Sequence, residues 1–251
     1  MKKVLLITIL ILISFQLSSS VFQVNKLGSL AYIAGITSLE FLNNHYDSHN
    51  IFPLSENDIN KISKNNVLKF DRIAFQPYSP KLKDLSDYTI YFTFASALYF
   101  SFEKEEILNN LVVLTEVMVT QNIIGKWTKS FSKRKRPFVY DENISISKKQ
   151  EHNSQHSFYS LHSSAAFSAA TYAYYYLVKK NGRNIPAALV LYGSATATAS
   201  LRVASANHFP SDVIIGAVMG SAISYFICEY HHKKQINIQV GLNSLNLEIS
   251  F

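Results

Sequence analysis

The chain has 251 residues, 48% of them hydrophobic and 13% aromatic, enough to bury the core of one good-sized domain. Its formal charge of +7 suggests an anionic partner, and the excess is uneven: Lys126, Lys129, Lys133, Arg134, Lys135 and Arg136 crowd one short stretch. Cys228 is the only cysteine, which excludes a disulfide framework within the chain.

The N-terminus reads as an export signal over residues 1–20. Lys2 and Lys3 precede an apolar run, 4–15, and a patch of small residues ends at Ser20. The run is short for a membrane span, which needs about 17–25 residues. A retained anchor is the alternative, since no clear A-x-A site is present. The expected location is exported, either periplasmic or membrane-associated.

Residues 26–43 carry a broadly helical apolar spacing. From 44 to 85 the composition turns polar and is punctuated by Pro53, Pro77 and Pro80. This part reads as a surface-wrapping segment, with a short helix opening at Ser55 and Asp58 in a capping-box position. Together, 21–85 form an N-terminal helix and its wrapping segment.

Ser86 then reads as an N-cap, with Asp87 in the first turn of an uncharged helix reaching 102. A second helix is expected over 105–126. Its Asn109, Asn110, Glu116 and Gln121 make it too polar for a lipid-facing span. A polar loop, 140–157, leads to three apolar helices over 163–178, 185–204 and 210–230. Gly182 separates the first two, and Pro186 and Pro210 fit opening turns.

The last two helices are just long enough to cross a bilayer, yet their Ala, Gly, Ser and Thr content suits close packing in either solvent. A mean hydropathy of +0.06 is low for six spans. The expected fold is therefore all-α, an exported helical bundle over 86–232 that rests on a membrane at most. In the tail, 233–251, apolar and polar residues alternate on either side of Asn243 and Ser244, as in a short C-terminal β-hairpin.

Three constellations carry chemistry. Lys129 and Arg136 form Lys-x6-Arg followed by Pro137. Ser160, Leu161 and His162 sit immediately before a helix. Arg202, His208 and Asp212 are spaced Arg-x5-His-x3-Asp. Singly, each has a plain explanation: a snorkelling arginine, a helix-start His and Asp, a solvated basic run. Their co-occurrence in this order overturns those explanations.

The three motifs together resemble the signature of the type 2 phosphatidic acid phosphatase / vanadium haloperoxidase superfamily, over about 86–230. The resemblance implies a helical bundle hydrolysing phosphomonoesters or lipid (pyro)phosphates without a metal. It implies that His208 attacks phosphorus and forms a phosphohistidine, that Asp212 orients its ring, and that His162 protonates the leaving oxygen and then activates water. Lys129, Arg136, Ser160, Leu161 and Arg202 would bind the phosphate. The physics agrees: a transferring phosphoryl group spreads charge over its oxygens, which guanidinium forks and a helix N-terminus complement.

The family usually has Pro-Ser-Gly-His where this chain has Tyr159, Ser160, Leu161 and His162. A leucine removes the freedom of glycine to bring backbone close to phosphate, and its bulk threatens to narrow the site. Two alternatives follow: a non-catalytic or impaired phosphate- or lipid-binding relative, and a vanadate-dependent haloperoxidase. No cofactor is expected, although vanadate fits the same anion site. The expected partner is a phosphorylated small molecule or lipid, with membrane contact and no nucleic acid. His152, His156, His231 and His232 read as exposed loop residues, with no metal assigned. Tyr172, Tyr174, Tyr175 and Tyr176 read as core with a polar edge.

Overall fold

The computed structural model describes residues 20–232 with their side chains, and the backbone of 236–241 and 244–249. Of the signal expected over 1–20, residues 1–19 lie outside the described residues. Among the described residues six long helices dominate: α1 (Lys26–Asn50), α3 (Pro80–Phe100), α4 (Ile107–Ser132), α6 (Leu161–Asn181), α7 (Ile185–Ala204) and α8 (Pro210–His231). Two short ones, α2 (Glu56–Asn60) and α5 (Ile146–Lys149), lie in the connections. In the tail, β1 (Ile236–Gly241) and β2 (Ser244–Ile249) pair antiparallel, Gly241 opposite Ser244. The apolar face expected for that tail falls on side chains outside the described residues.

Local chemistry explains the helix ends. Ser55 and Asp58 form the capping box of α2. Asn184 caps α7 ahead of Pro186, and Asp212 accepts from the Phe209 amide at 2.9 Å to open α8. One expected start is corrected. Ser79, not Ser86, caps α3, with Pro80 at its first position. Ser86 and Asp87 therefore sit inside a helix, where their side chains face the protein rather than its end.

Helix α6 is the axis of the bundle, packing on α3, α4, α7 and α8, while α1 docks on the outside of α4. Its buried face is built from Ser164, Ala166, Ser168, Ala169, Ala170 and Ala173, small enough for neighbouring backbones to approach. The closest approach is to α8. A Cβ on Gly216 would lie 2.6 Å from the Ser160 carbonyl oxygen, and one on Gly220 only 2.1 Å from that of Ser164. Two hydroxyl bonds join the same seam, Ser163 Oγ to the Val213 carbonyl and Ser168 Oγ to that of Gly220. This locks the N-termini of α6 and α8 side by side.

At the opposite end of α6, Tyr172, Tyr175 and Tyr176 are buried around Phe22, which is fully enclosed. Their hydroxyls reach the Asn110 carbonyl, Glu229 and Glu106 respectively. The polar residues of α4 are likewise turned inward: Asn110, Glu116 and Gln121 are all buried. Glu116 accounts for His231, which was expected in an exposed loop. That histidine is buried in the last turn of α8, its Nε2 2.7 Å from the Glu116 carboxylate.

The outer faces are unusually apolar. Tyr88, Tyr91 and Tyr99 on α3, Ile185 and Leu189 on α7, and Val218 and Phe226 on α8 are all more than half exposed. Two segments, Ile107–Tyr140 and Pro210–His231, are long and apolar enough to cross a membrane.

Candidate active site

Helix α4 ends where Lys133 turns left-handed (φ 46°), and the chain turns through the basic run into the 3-10 turn Pro137–Tyr140. Lys129, in the last turn of α4, is buried and donates from Nζ to the His156 carbonyl at 2.5 Å. Arg136 is fixed by its own Nε, which donates to the Asn153 carbonyl at 2.8 Å. Its Nη1 is thereby aimed at the Asn207 carbonyl (3.2 Å) and at His208 Nε2 (3.4 Å).

The turn between α7 and α8 presents Arg202 and His208 together. The Arg202 carbonyl accepts from both the Asn207 and the His208 amides, at 3.2 and 3.1 Å. Between them, Ala206 is fully buried at φ +56°, a left-handed conformation that costs a residue with a Cβ about 1 kcal/mol or more. The Phe138 amide donates to the Ala206 carbonyl at 3.1 Å and helps hold that turn against the end of the basic run.

His208 is 1% exposed. A guanidinium can only donate, so the neutral ring that suits Arg136 keeps the lone pair on Nε2 and the proton on Nδ1. Nδ1 faces Asp212 Oδ2 at 3.6 Å and has no closer hydrogen-bond partner among the described residues. Burial, and then the charges of Arg136, Lys129 and Arg202, hold the His208 pKa well below the usual imidazole value. The ring is therefore kept neutral, the state in which Nε2 is a nucleophile.

Asp212 is fully buried but well satisfied. It accepts from the Phe209 amide (2.9 Å), Ser157 Oγ (2.6 Å) and Arg134 Nη1 (2.5 Å). Arg134 was missed in the sequence. Its other amino group, Nη2, donates to Asp71 Oδ2 at 2.7 Å, and its plane lies over the Phe209 ring. Asp71, buried in the wrapping segment, also accepts from the amide and hydroxyl of Ser211.

Across the cleft, Ser160 caps α6 and is completely buried, its amide donating to the Asp212 carbonyl at 3.0 Å. His162 Nε2 is 2.9 Å from Asp87 Oδ1; its Nδ1 has no hydrogen bond among the described residues. Arg202 is buried, with Nη1 on Ser86 Oγ (3.2 Å) and 3.8 Å from Asp87, while its Nε has no hydrogen-bond partner among the described residues. Asp87 is thus a second missed residue; as the last charge before the uncharged run of α3, it offered a signal.

Leu161 begins α6 in ordinary helical geometry. Its Cδ2 lies 2.3 Å from the position a Cβ would take on Gly125 of α4. The leucine is accommodated because its neighbour has no side chain. One cleft of about 410 Å³ is lined by Lys129, Arg136, Leu161, His162, Arg202 and His208, with Tyr78 and Asn207. Ser160 and Asp212 stand behind its wall. All eight residues expected from the sequence are therefore brought to one place. His156, expected in an exposed loop, is buried at the rim of the same cleft, where it meets His152 and Asp47.

The PAP2 superfamily model matches residues 110–236, half of the chain. The chain belongs to the PAP2 superfamily. Its helical bundle is the PAP2-type fold, and the Lys129, Arg136, Ser160, His162, Arg202, His208 and Asp212 pattern falls wholly inside the matched span. Among solved structures, it is similar to the crystal structure of Aquifex aeolicus LpxE, at 20% identity and a TM-score of 0.47, over 67% of this chain and 100% of that one. No curated protein matches the chain.

Proposed function

We propose that this PAP2 protein is a phosphatase that hydrolyses phosphomonoesters or lipid (pyro)phosphates through a phosphohistidine on His208. The observation that carries the reading is the orientation of His208, with Nε2 beside Arg136 in a cation-lined cleft and Nδ1 facing the buried Asp212 carboxylate. In this scheme Lys129, Arg136 and Arg202 hold the phosphate oxygens, the two guanidinium forks matching them bidentately. Nε2 forms the bond to phosphorus as the ester P–O bond breaks. His162 delivers a proton to the departing oxygen, then takes one from the water that cleaves the N–P bond. Asp212 stabilises the positive charge that builds on the His208 ring. Asp87 orients His162 through Nε2 and favours its imidazolium form, against the burial and the Arg202 charge that lower its pKa to about 4 in the free enzyme. Nδ1 carries that proton once the anionic phosphate is bound.

The chemistry draws on these side chains alone and involves no metal. Vanadate, which shares the shape of phosphate, is expected to compete at the cleft as an inhibitor. The apolar outer faces and the two segments long enough to cross a bilayer support a lipid substrate and a membrane-associated protein, while export rests on the N-terminal sequence alone.

The test is phosphate release from sugar phosphates, nucleotides, phosphatidic acid and isoprenyl pyrophosphate, by wild type and His208→Ala. Loss of turnover in the variant, with an acid-labile phosphoryl adduct mapped to His208 in a quenched wild-type reaction, is expected. A His208→Ala protein with full activity overturns the mechanism.

A further inference from the structure

At the rim of the cleft, Asp47 near the end of α1 meets His152 and His156 of the loop preceding α6. The carboxylate is shared. Oδ1 is 3.1 Å from His156 Nε2, and Oδ2 contacts His152 Nε2 directly. The three ligand atoms lie within 4.8 Å of one another. Tetrahedral zinc with bonds of about 2.0–2.1 Å places its ligand atoms about 3.4 Å apart, so small side-chain adjustments suffice.

The hydrogen bonds behind the cluster point the same way. His156 Nδ1 lies 3.1 Å from the His152 carbonyl oxygen, which can only accept. The proton is therefore on Nδ1, and the Nε2 lone pair of a neutral His156 faces a carboxylate lone pair. Two acceptors at 3.1 Å repel unless a cation lies between them. Metal-bound histidines are oriented in this way, with the far ring nitrogen donating to a carbonyl. The carboxylate is also held, since Ser130 Oγ donates to Oδ1 at 2.7 Å and Asn43 Nδ2 donates to Ser130 at 3.0 Å.

We propose that Asp47, His152 and His156 form a binding site for Zn2+ or another divalent first-row transition metal, distinct from the phosphate site and at the rim of the same cleft. Two imidazoles and one carboxylate suit such ions better than Mg2+ or Ca2+, which favour oxygen ligands. The ion joins α1 to the loop whose His156 carbonyl accepts from Lys129. Metal occupancy therefore positions a phosphate-binding lysine without entering the chemistry at His208.

The experiment uses detergent-solubilised, untagged protein stripped with chelator, so that no affinity tag contributes histidines. Zn2+ is titrated against a chromophoric competitor, and Co2+ against the visible absorption of a tetrahedral complex. One equivalent of Zn2+ and an intense Co2+ spectrum are expected, together with a rise in Tm on metal addition. His152→Gln, which alters a half-exposed ring, and Asp47→Asn each weaken binding by more than about 10-fold. Stripped wild type retains turnover, with KM raised and kcat little changed. Wild type that binds no more tightly than a His152→Gln/Asp47→Asn double variant overturns the proposal, and identifies the cation between the two acceptors as a proton. The binding measurement is independent of turnover, so it stands or falls apart from the phosphatase assignment.

Discussion

Substituting Gly125 by alanine tests whether Leu161 is a tolerated resident of the active site. The new Cβ falls 2.3 Å from Leu161 Cδ2 and 3.3 Å from Tyr159 Cε2, so the leucine methyl must retreat by about 1 Å to reach ordinary contact. Its side chain is flexible and lines the cleft, so the methyl retreats by turning into the cleft while the backbone of α6 stays in place. Leu161 is the first residue of α6, between the Ser160 cap and His162, and α6 is held against α8 by the contacts at Gly216 and Gly220. Overpacking of this kind costs about 1–3 kcal/mol, and each kcal/mol lowers Tm by about 2–4 °C in a chain of this size. In the cleft the methyl crowds the substrate, and a misplacement of about 1 Å at the chemistry lowers the rate by about 100-fold. Gly125→Ala is therefore expected to lower kcat by about 10–100-fold and Tm by several degrees, measured by steady-state phosphate release and by calorimetry. Adding Leu161→Ala to that variant removes the clashing methyl and is expected to restore most of both. The reasoning is refuted if Gly125→Ala is silent in both assays, or if the second substitution gives no recovery.

Other expectations follow from the same geometry. Leu161→Gly leaves a void beside Gly125 and a weaker first turn of α6, so it lowers stability by about 2–4 kcal/mol in denaturant unfolding without raising turnover. A large gain in kcat would instead mark the leucine as an impairment. Asp87→Asn keeps the shape of the side chain but removes the charge beside His162; kcat falls by about 10–100-fold with KM little altered in steady-state kinetics. Gly220→Ala places a carbon 2.1 Å from a carbonyl oxygen that belongs to a helix backbone and cannot swing aside, so Tm falls even though the site is distant. Finally, His208 has a pKa lowered well below 6.5 in the free enzyme and must be neutral to attack. Activity assigned to that ring is lost only as pH falls through the lowered value, so the acid limb of kcat/KM lies well below pH 6.5. A limb due to His208 at 6.5 or above would contradict the buried, cation-flanked ring.

Much of the site was legible because its residues carry charge at unusual places. An arginine within an apolar helix, and a histidine and an aspartate on either side of a proline, stand out in any reading. Their partners do not. Arg134 is one of four cations in a row, and nothing local separates it from Lys133 or Lys135; it is selected by Asp71 and Asp212, 63 and 78 residues away. His231 and Glu116 are joined across 115 residues, so each alone reads as a surface group. The misplaced start of α3 has a different cause. Ser79 before Pro80 and Ser86 before Asp87 are both reasonable caps, and the missing amide of proline favours the earlier one. The preference at Ser86 is overridden because its hydroxyl lies inside the protein, bonded to the Lys83 carbonyl and to Arg202.

The Arg134 bridge bears on how the protein can be cut. The family match begins at residue 110, yet Asp71 and Asp87 lie ahead of it. A fragment starting at 110 would carry every residue of the three motifs. It would lack the carboxylate that occupies the second fork of Arg134 and the one that holds His162. Arg134 would then share its charge with Asp212 alone, in a crevice opened to water by loss of the wrapping segment. The smallest piece able to keep this chemistry is therefore set by two unobtrusive acids rather than by the recognisable motifs, and its first residue must precede Asp71.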